Sequence, residues 1–225
     1  LTKAAKIHLN VKIGGCEAKN DIFFCQKIKA NTIVAPMVES EYALRKFVQC
    51  ANIGGKSSLL INLETNLSLK NLDKMIKSKS FNFLDGVVIG RSDLAGSLSL
   101  SKNDVNSKTI FDKVEKAFNK IKKYSKKKII FKMGGSITPK SKFFINKLYL
   151  KKLLHSVETR NVEIKLSKTT IKNIDKIVIE AFKFELDWLK FKLKNIKKES
   201  NKLLFNDYSS RVTEMTERLK RHLNA

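Results

Sequence analysis

Seven short runs of apolar, largely β-branched residues recur along this chain, most of them roughly 25 to 30 residues apart. They are His8 to Ile13, Thr32 to Val38, Leu59 to Leu63, Gly86 to Ile89, Lys128 to Met133, Leu153 to Val157 and Val162 to Leu166. Each is apolar almost throughout, the pattern of strands covered on both faces. Between them lie segments with apolar residues three and four apart, such as Tyr42, Leu44, Phe47 and Val48, or Ile110, Val114, Ala117, Phe118 and Ile121. Strands alternating with helices predict right-handed crossovers and a parallel sheet. Seven units fall one short of the eight that close a (β/α)8 TIM-type barrel. The first strand lies close to Leu1, so the first βα unit of such a barrel is expected to be absent from this chain. The competing architecture, an open doubly wound sheet, lacks its G-x-G-x-x-G fingerprint here.

Beyond the last strand a single apolar stripe from Thr169 to Lys198 predicts a long helix, and a second helix follows from Asp207 to Leu223. Residues 1–200 therefore read as the barrel with its long helix, and residues 201–225 as a terminal helix. The thin stripe Val212, Met215, Leu219 and Leu223 suits either packing on a neighbouring subunit or a solvent-facing tail.

The formal charge is +25, from 46 Lys and Arg against 21 Asp and Glu. Only six of the 46 are Arg, the side chain favoured for bidentate phosphate and base recognition, which argues against nucleic acid as the partner. The cysteines Cys16, Cys25 and Cys50 form no C-x-x-C pair, and His8, His155 and His222 form no ligand-spaced pair, so neither a disulfide framework nor a zinc site is indicated. No apolar run approaches the ~18 residues of a membrane helix. A cytoplasmic protein without a membrane partner is expected.

In a barrel, chemistry collects just past the strand ends. Glu64 follows the third run, and Asp93 follows the fourth in Gly90-Arg91-Ser92-Asp93. They are 29 residues apart, one βα repeat, so they emerge from neighbouring strands at one mouth. Two carboxylates with no His or Cys beside them are hard oxygen ligands suited to Mg2+ or Mn2+. The alternative is that Glu64 caps the helix near Asn66 and Asp93 caps a short turn. Other strand-end candidates are Lys12 with Gly14 and Gly15, a cation and a turn able to hold a carboxylate or phosphate; Glu39 after the second run; Gly134 and Gly135 after the fifth; and Glu158 and Arg160 after the sixth. Glycines also simply turn corners, and Glu39 and Glu158 equally suit a helix start or a surface ion pair.

The segments INLET at 61–65 and DGVVIGRSDLAGSLSL at 85–100, preceded by VAPMVES, resemble the HpcH/HpaI aldolase and citrate lyase β-subunit family. The resemblance covers most of residues 8 to 166. It implies a TIM-type barrel and a carbon–carbon lyase or aldolase acting on a 2-oxo acid or acyl-CoA ester. It also implies that Glu64 and Asp93 hold Mg2+ or Mn2+, that Lys12 stands where the family carries an arginine, and that Arg160 assists it. Gly14, Gly15, Glu39, Arg91, Ser92, Gly134 and Gly135 would contact substrate, with Arg91 where other branches carry Pro or a small residue. A homo-oligomer is expected. The alternatives are a non-catalytic basic barrel that binds RNA or another polyanion, and a degenerate scaffold relative.

Overall fold

The computed structural model describes residues 2, 4–52, 55–196 and 201–223. Every apolar run forms a strand: β1 (Asn10–Lys12), β2 (Thr32–Ala35), β3 (Ser58–Leu63), β4 (Gly86–Gly90), β5 (Ile130–Gly134), β6 (Ser156–Glu158) and β7 (Glu163–Lys165). The intervals hold α1 (Lys19–Lys27), α2 (Glu41–Ala51), α3 (Asn66–Lys70), α4 (Leu72–Lys77), α5 (Arg91–Ser97), α6 (Lys108–Tyr124) and α7 (Lys142–Leu150). Three helices follow β7: α8 (Lys168–Lys172), α9 (Ile174–Lys194) and α10 (Lys202–Leu223).

The strands pair in chain order into one curled sheet. From β1 to β6 they are parallel, as expected. The last pair is not: β7 runs antiparallel to β6. Only residues 159–162 separate the two strands, enough for a hairpin but far too few for the dozen or more residues of a crossover. Among the described residues β1 and β7 are the edges of the sheet, so the architecture is a half-barrel, a partial TIM-type barrel without eight-stranded closure.

Strand alternation divides the buried residues into two sets. Ile33, Ile61, Val87, Ile89, Phe131, Met133 and Val157 face outward into the main core, beneath α2 (Leu44, Phe47, Val48) and α6 (Val114, Phe118, Ile121). Val34, Leu60 and Val88 form a separate small cluster on the inner face. Two-sided burial is why the runs read as unbroken apolar stretches. The polar exceptions inside them, Asn62 in β3 and Lys132 in β5, are buried on the inner face.

The expected long helix breaks at Asn173 into α8 and α9, and its expected last residues, Lys197 and Lys198, lie outside the described residues. Against α9 packs α10, with Met215 and Leu219 buried and Val212 against the core. The stripe that could have served a neighbouring subunit is thus largely covered within the chain, and Leu223 stays exposed.

The side chain that locks the top of the sheet is Arg91, the first residue of α5, which is fully buried. Its Nε donates to Gly134 O, its Nη1 to Val105 O and Asn106 Oδ1, and its Nη2 to Gly135 O and Ser141 Oγ. All five guanidinium donors therefore end on protein. The group also lies over the Phe144 ring at 4.9 Å. Burial pushes it down to about 9, so it keeps its charge at neutral pH. Arg91→Met should cost roughly 3–5 kcal/mol in urea unfolding, because five backbone or side-chain acceptors are left buried and unpaired or exposed by rearrangement.

Candidate active site

The parallel strands bring their C-terminal ends to one mouth. Glu64 follows β3 directly, and Thr65 begins α3 as its N-cap, accepting from Ser68 N in a capping box with Ser68. The cap is Thr65, so Glu64 is free of that duty, and the residue is 1% exposed. Such a buried carboxylate needs partners. Its Oε1 accepts from Met37 N at 3.0 Å, and its Oε2 accepts from Asn62 Nδ2 at 2.8 Å and from Lys12 Nζ at 3.2 Å. Strands β1, β2 and β3 thus all converge on one carboxyl group.

Asp93 lies in the first turn of α5, whose N-cap is Gly90, and makes no side-chain cap. The residue is exposed at the rim, and its carboxyl lies within hydrogen-bonding reach of Glu64. Partial burial of that carboxyl holds it above the usual carboxylate range; Glu64's negative charge adds to the effect and Lys12 opposes it. The two acids thus lie at the same end of the sheet, each within the other's electrostatic influence.

Of the remaining candidates, Ser92 Oγ lies 2.9 Å from Ser136 Oγ, tying the turn after β4 to the turn after β5. Gly135 has φ +77°, and a Cβ there would come within 2.4 Å of Ser92 N, so only glycine fits. Glu39 Oε1 accepts from Thr65 Oγ1 at 2.6 Å beside Glu64. Gly15 faces open space. Arg160 is exposed on the β6–β7 hairpin at the same mouth.

Two expectations change. Arg91 was expected to contact substrate, but its fully buried guanidinium has every donor on protein, so its role is structural. The Gly14 N–H, expected to hold an anionic ligand, already donates to Asp21 Oδ2 at 2.7 Å, because α1 places that acid over the turn.

Sequence reasoning missed two features. Asn62 lies two residues before Glu64 on the same inner face, is 2% exposed, and leaves its Oδ1 without a hydrogen-bond partner. Gly90 leaves the space that Glu64 occupies: a Cβ there would lie 2.6 Å from Glu64 Oε2. Glu158, already legible in the sequence as a strand-end acid, ends β6, and burial pushes its carboxyl up. A polar residue interrupting an apolar run at even spacing from Glu64 is the signal that would have found Asn62.

Deeper inside, Lys132 Nζ donates to Glu163 Oε2 at 2.6 Å, and Asn10 Nδ2 donates to the same oxygen. Burial alone would raise Glu163, but hydrogen bonds from Lys132 and Asn10 and the charge of Lys132 hold it below the usual range. A cavity of about 1270 Å³ opens at the opposite, N-terminal ends of the strands, near His8, Ser58, Lys128 and Lys165. It is the open underside of an unclosed sheet and contains neither Glu64 nor Asp93.

A sequence model of the HpcH/HpaI aldolase/citrate lyase family matches residues 10–138, more than half of the chain. The chain belongs to the HpcH/HpaI aldolase/citrate lyase family. The matched span includes Lys12, Glu64 and Asp93. Among solved structures, the citrate synthase SbnG aligns at a TM-score of 0.56 and 14% identity, covering 83% of this chain and 76% of its own. An HpcH/HpaI aldolase from Desulfitobacterium hafniense aligns at 0.56 and 12%, covering 81% and 74%. RipC from Yersinia pestis aligns at 0.54 and 13%, covering 78% of each chain. At these identities the likeness concerns the fold. No curated protein sequence matches the chain. HpcH/HpaI membership sets the coarse class of chemistry as the making and breaking of carbon–carbon bonds.

The sign of the Asp93 shift yields a test. A carboxyl held above its unfolded value binds its proton more tightly when folded, so its contribution to stability is present at low pH and lost as pH rises through the folded value. Asp93→Asn should therefore raise the thermal midpoint modestly at pH 7. That gain should disappear below the ordinary carboxylate range, as read by melting curves across pH.

Proposed function

We propose that this HpcH/HpaI member is a divalent-metal-dependent carbon–carbon lyase or aldolase acting on a 2-oxo acid or an acyl-CoA ester. The observation that carries the proposal is the convergence of the Glu64 and Asp93 carboxyls within hydrogen-bonding reach, beside the Lys12 ammonium. Two carboxyls forced together attract either a proton or a cation. The donor set is oxygen only, and among the described residues no group of three or more His, Cys, Asp or Glu is arranged to hold a metal. Two carboxylates fit Mg2+ or Mn2+, which commonly keep water or substrate oxygens in the remaining positions, better than they fit zinc. Glu64 and Asp93 would hold the ion, which when bound supplies Lewis-acid polarisation of a substrate oxygen.

The chain's own groups supply the rest. Glu64 is fixed from three sides by Met37 N, Asn62 and Lys12, so the site is preorganised. Lys12, with a half-exposed side chain, is placed to neutralise a substrate carboxylate or a developing enolate oxygen. Arg160 at the rim, near Arg218, adds positive potential that draws anionic substrate to the mouth. The backbone at Gly90 and Gly134 carries no side chains, which leaves room for the Glu64 and Glu158 side chains to lie close against it. Gly15, Glu39 and Ser92 line the same mouth. A homo-oligomeric, cytoplasmic protein completes the reading; no helix of the described residues is long and apolar enough to cross a membrane.

Asp93→Ala should weaken Mn2+ binding, followed by electron paramagnetic resonance, and should lower metal-dependent turnover of 2-oxo acid aldols by ~100-fold or more while the circular dichroism spectrum stays unchanged. Unchanged metal affinity and turnover would defeat the proposal.

A further inference from the structure

The lyase reading leaves open which group moves protons. Strand register answers this with a pair of glycines. Gly90 on β4 and Gly134 on β5 are direct partners across the sheet. A Cβ on Gly90 would strike Glu64 Oε2 at 2.6 Å, and a Cβ on Gly134 would lie 3.0 Å from Glu158 Cγ and 3.2 Å from its Oε1. The two bare positions form a floor over which Glu64 leans from β3 on one side and Glu158 leans from β6 on the other. Val157 belongs to the outer core, so Glu158, its neighbour in the strand, faces inward. Unlike Glu64, Glu158 accepts no hydrogen bond from the described residues, so its carboxyl is not tied to a protein donor.

We propose that Glu158 is the acid–base residue of this site, moving a proton to and from the carbon next to the substrate carbonyl. The assignment rests on the lyase reading above. In the enolising step the C–H bond of that carbon breaks and its proton passes to a Glu158 carboxylate oxygen. The C–H electron pair becomes the new carbon–carbon π bond, and the carbonyl π pair moves onto oxygen as the enolate. Reprotonation runs the same path backwards, so no oxidant or co-reactant is needed. The charged groups acting on Glu158 come from every strand around it: Lys132 of β5 and Lys12 of β1 favour its ionised form, while Glu163 of β7 and Glu64 of β3 oppose it. Burial, the largest influence, also favours the neutral acid, as suits a group that must hold a proton between steps.

The experiment uses pyruvate, the smallest 2-oxo acid with enolisable protons, in D2O with Mg2+, and follows loss of the methyl signal by proton NMR. Wild type should exchange. Glu158→Gln should slow exchange ~100-fold or more with pyruvate KM little changed, and Glu158→Asp, which retracts the carboxyl, should fall between. The infrared band of a neutral carboxylic acid that titrates in wild type should be missing in Glu158→Gln. Absence of exchange in wild type would overturn the 2-oxo acid form of the lyase reading and this assignment with it. Exchange in wild type together with comparable exchange in either variant would overturn the Glu158 assignment alone.

Discussion

A buried carboxylate fixed by three strands organises this molecule's mouth. Glu64 accepts from the backbone of the β2 turn, from Asn62 on its own strand and from Lys12 on β1, and it can lie there only because Gly90 has no side chain. Leaving a carboxylate unpartnered at such a depth would carry a large desolvation penalty, so these hydrogen bonds and the empty position beside Gly90 stand or fall together. Asp93, one repeat later, then has a fixed neighbour to meet. Its own approach is fixed by Arg91, two residues earlier, whose five hydrogen bonds clamp the start of α5 onto the end of β5.

Charge inside the half-barrel is arranged in layers. Near the mouth, Glu64, Asp93 and Glu158 outnumber Lys12. Beneath them Lys132 and Glu163 form a partly buried pair that also holds Asn10. Such a distribution keeps the acidic groups near the mouth under mutual repulsion, which a cation or a shared proton relieves. The strong positive charge of the whole chain is of a different kind. Most of it sits on exposed lysines, and it bears on steering anions toward the molecule more than on the chemistry at the mouth.

Local pattern made several elements legible before any coordinates. The LLINL run ends where β3 ends, and the spacing of Glu64 and Asp93 by one βα repeat placed them on adjacent strands. The alternating stripes of α2 and α6 match the helices that cover the sheet. Less was legible where residues act through partners far away in sequence. Arg91 follows a strand end like any substrate-binding arginine, and only its burial among Gly134, Val105, Asn106 and Ser141 shows that it holds the fold together. The Gly14 N–H looked available until α1 laid Asp21 across it.

The sequence by itself determined the number and place of the strands, the two-sided burial of the sheet and the pairing of the two acids, because hydrophobic period and repeat length are local properties of the chain. Tertiary structure alone decided the reversed direction of β7, the open edges of the sheet and the facing of Gly90 with Gly134 between Glu64 and Glu158. Those depend on strand register and on how a four-residue hairpin turns, and both are settled by contacts among segments distant in the chain, where no local period carries information.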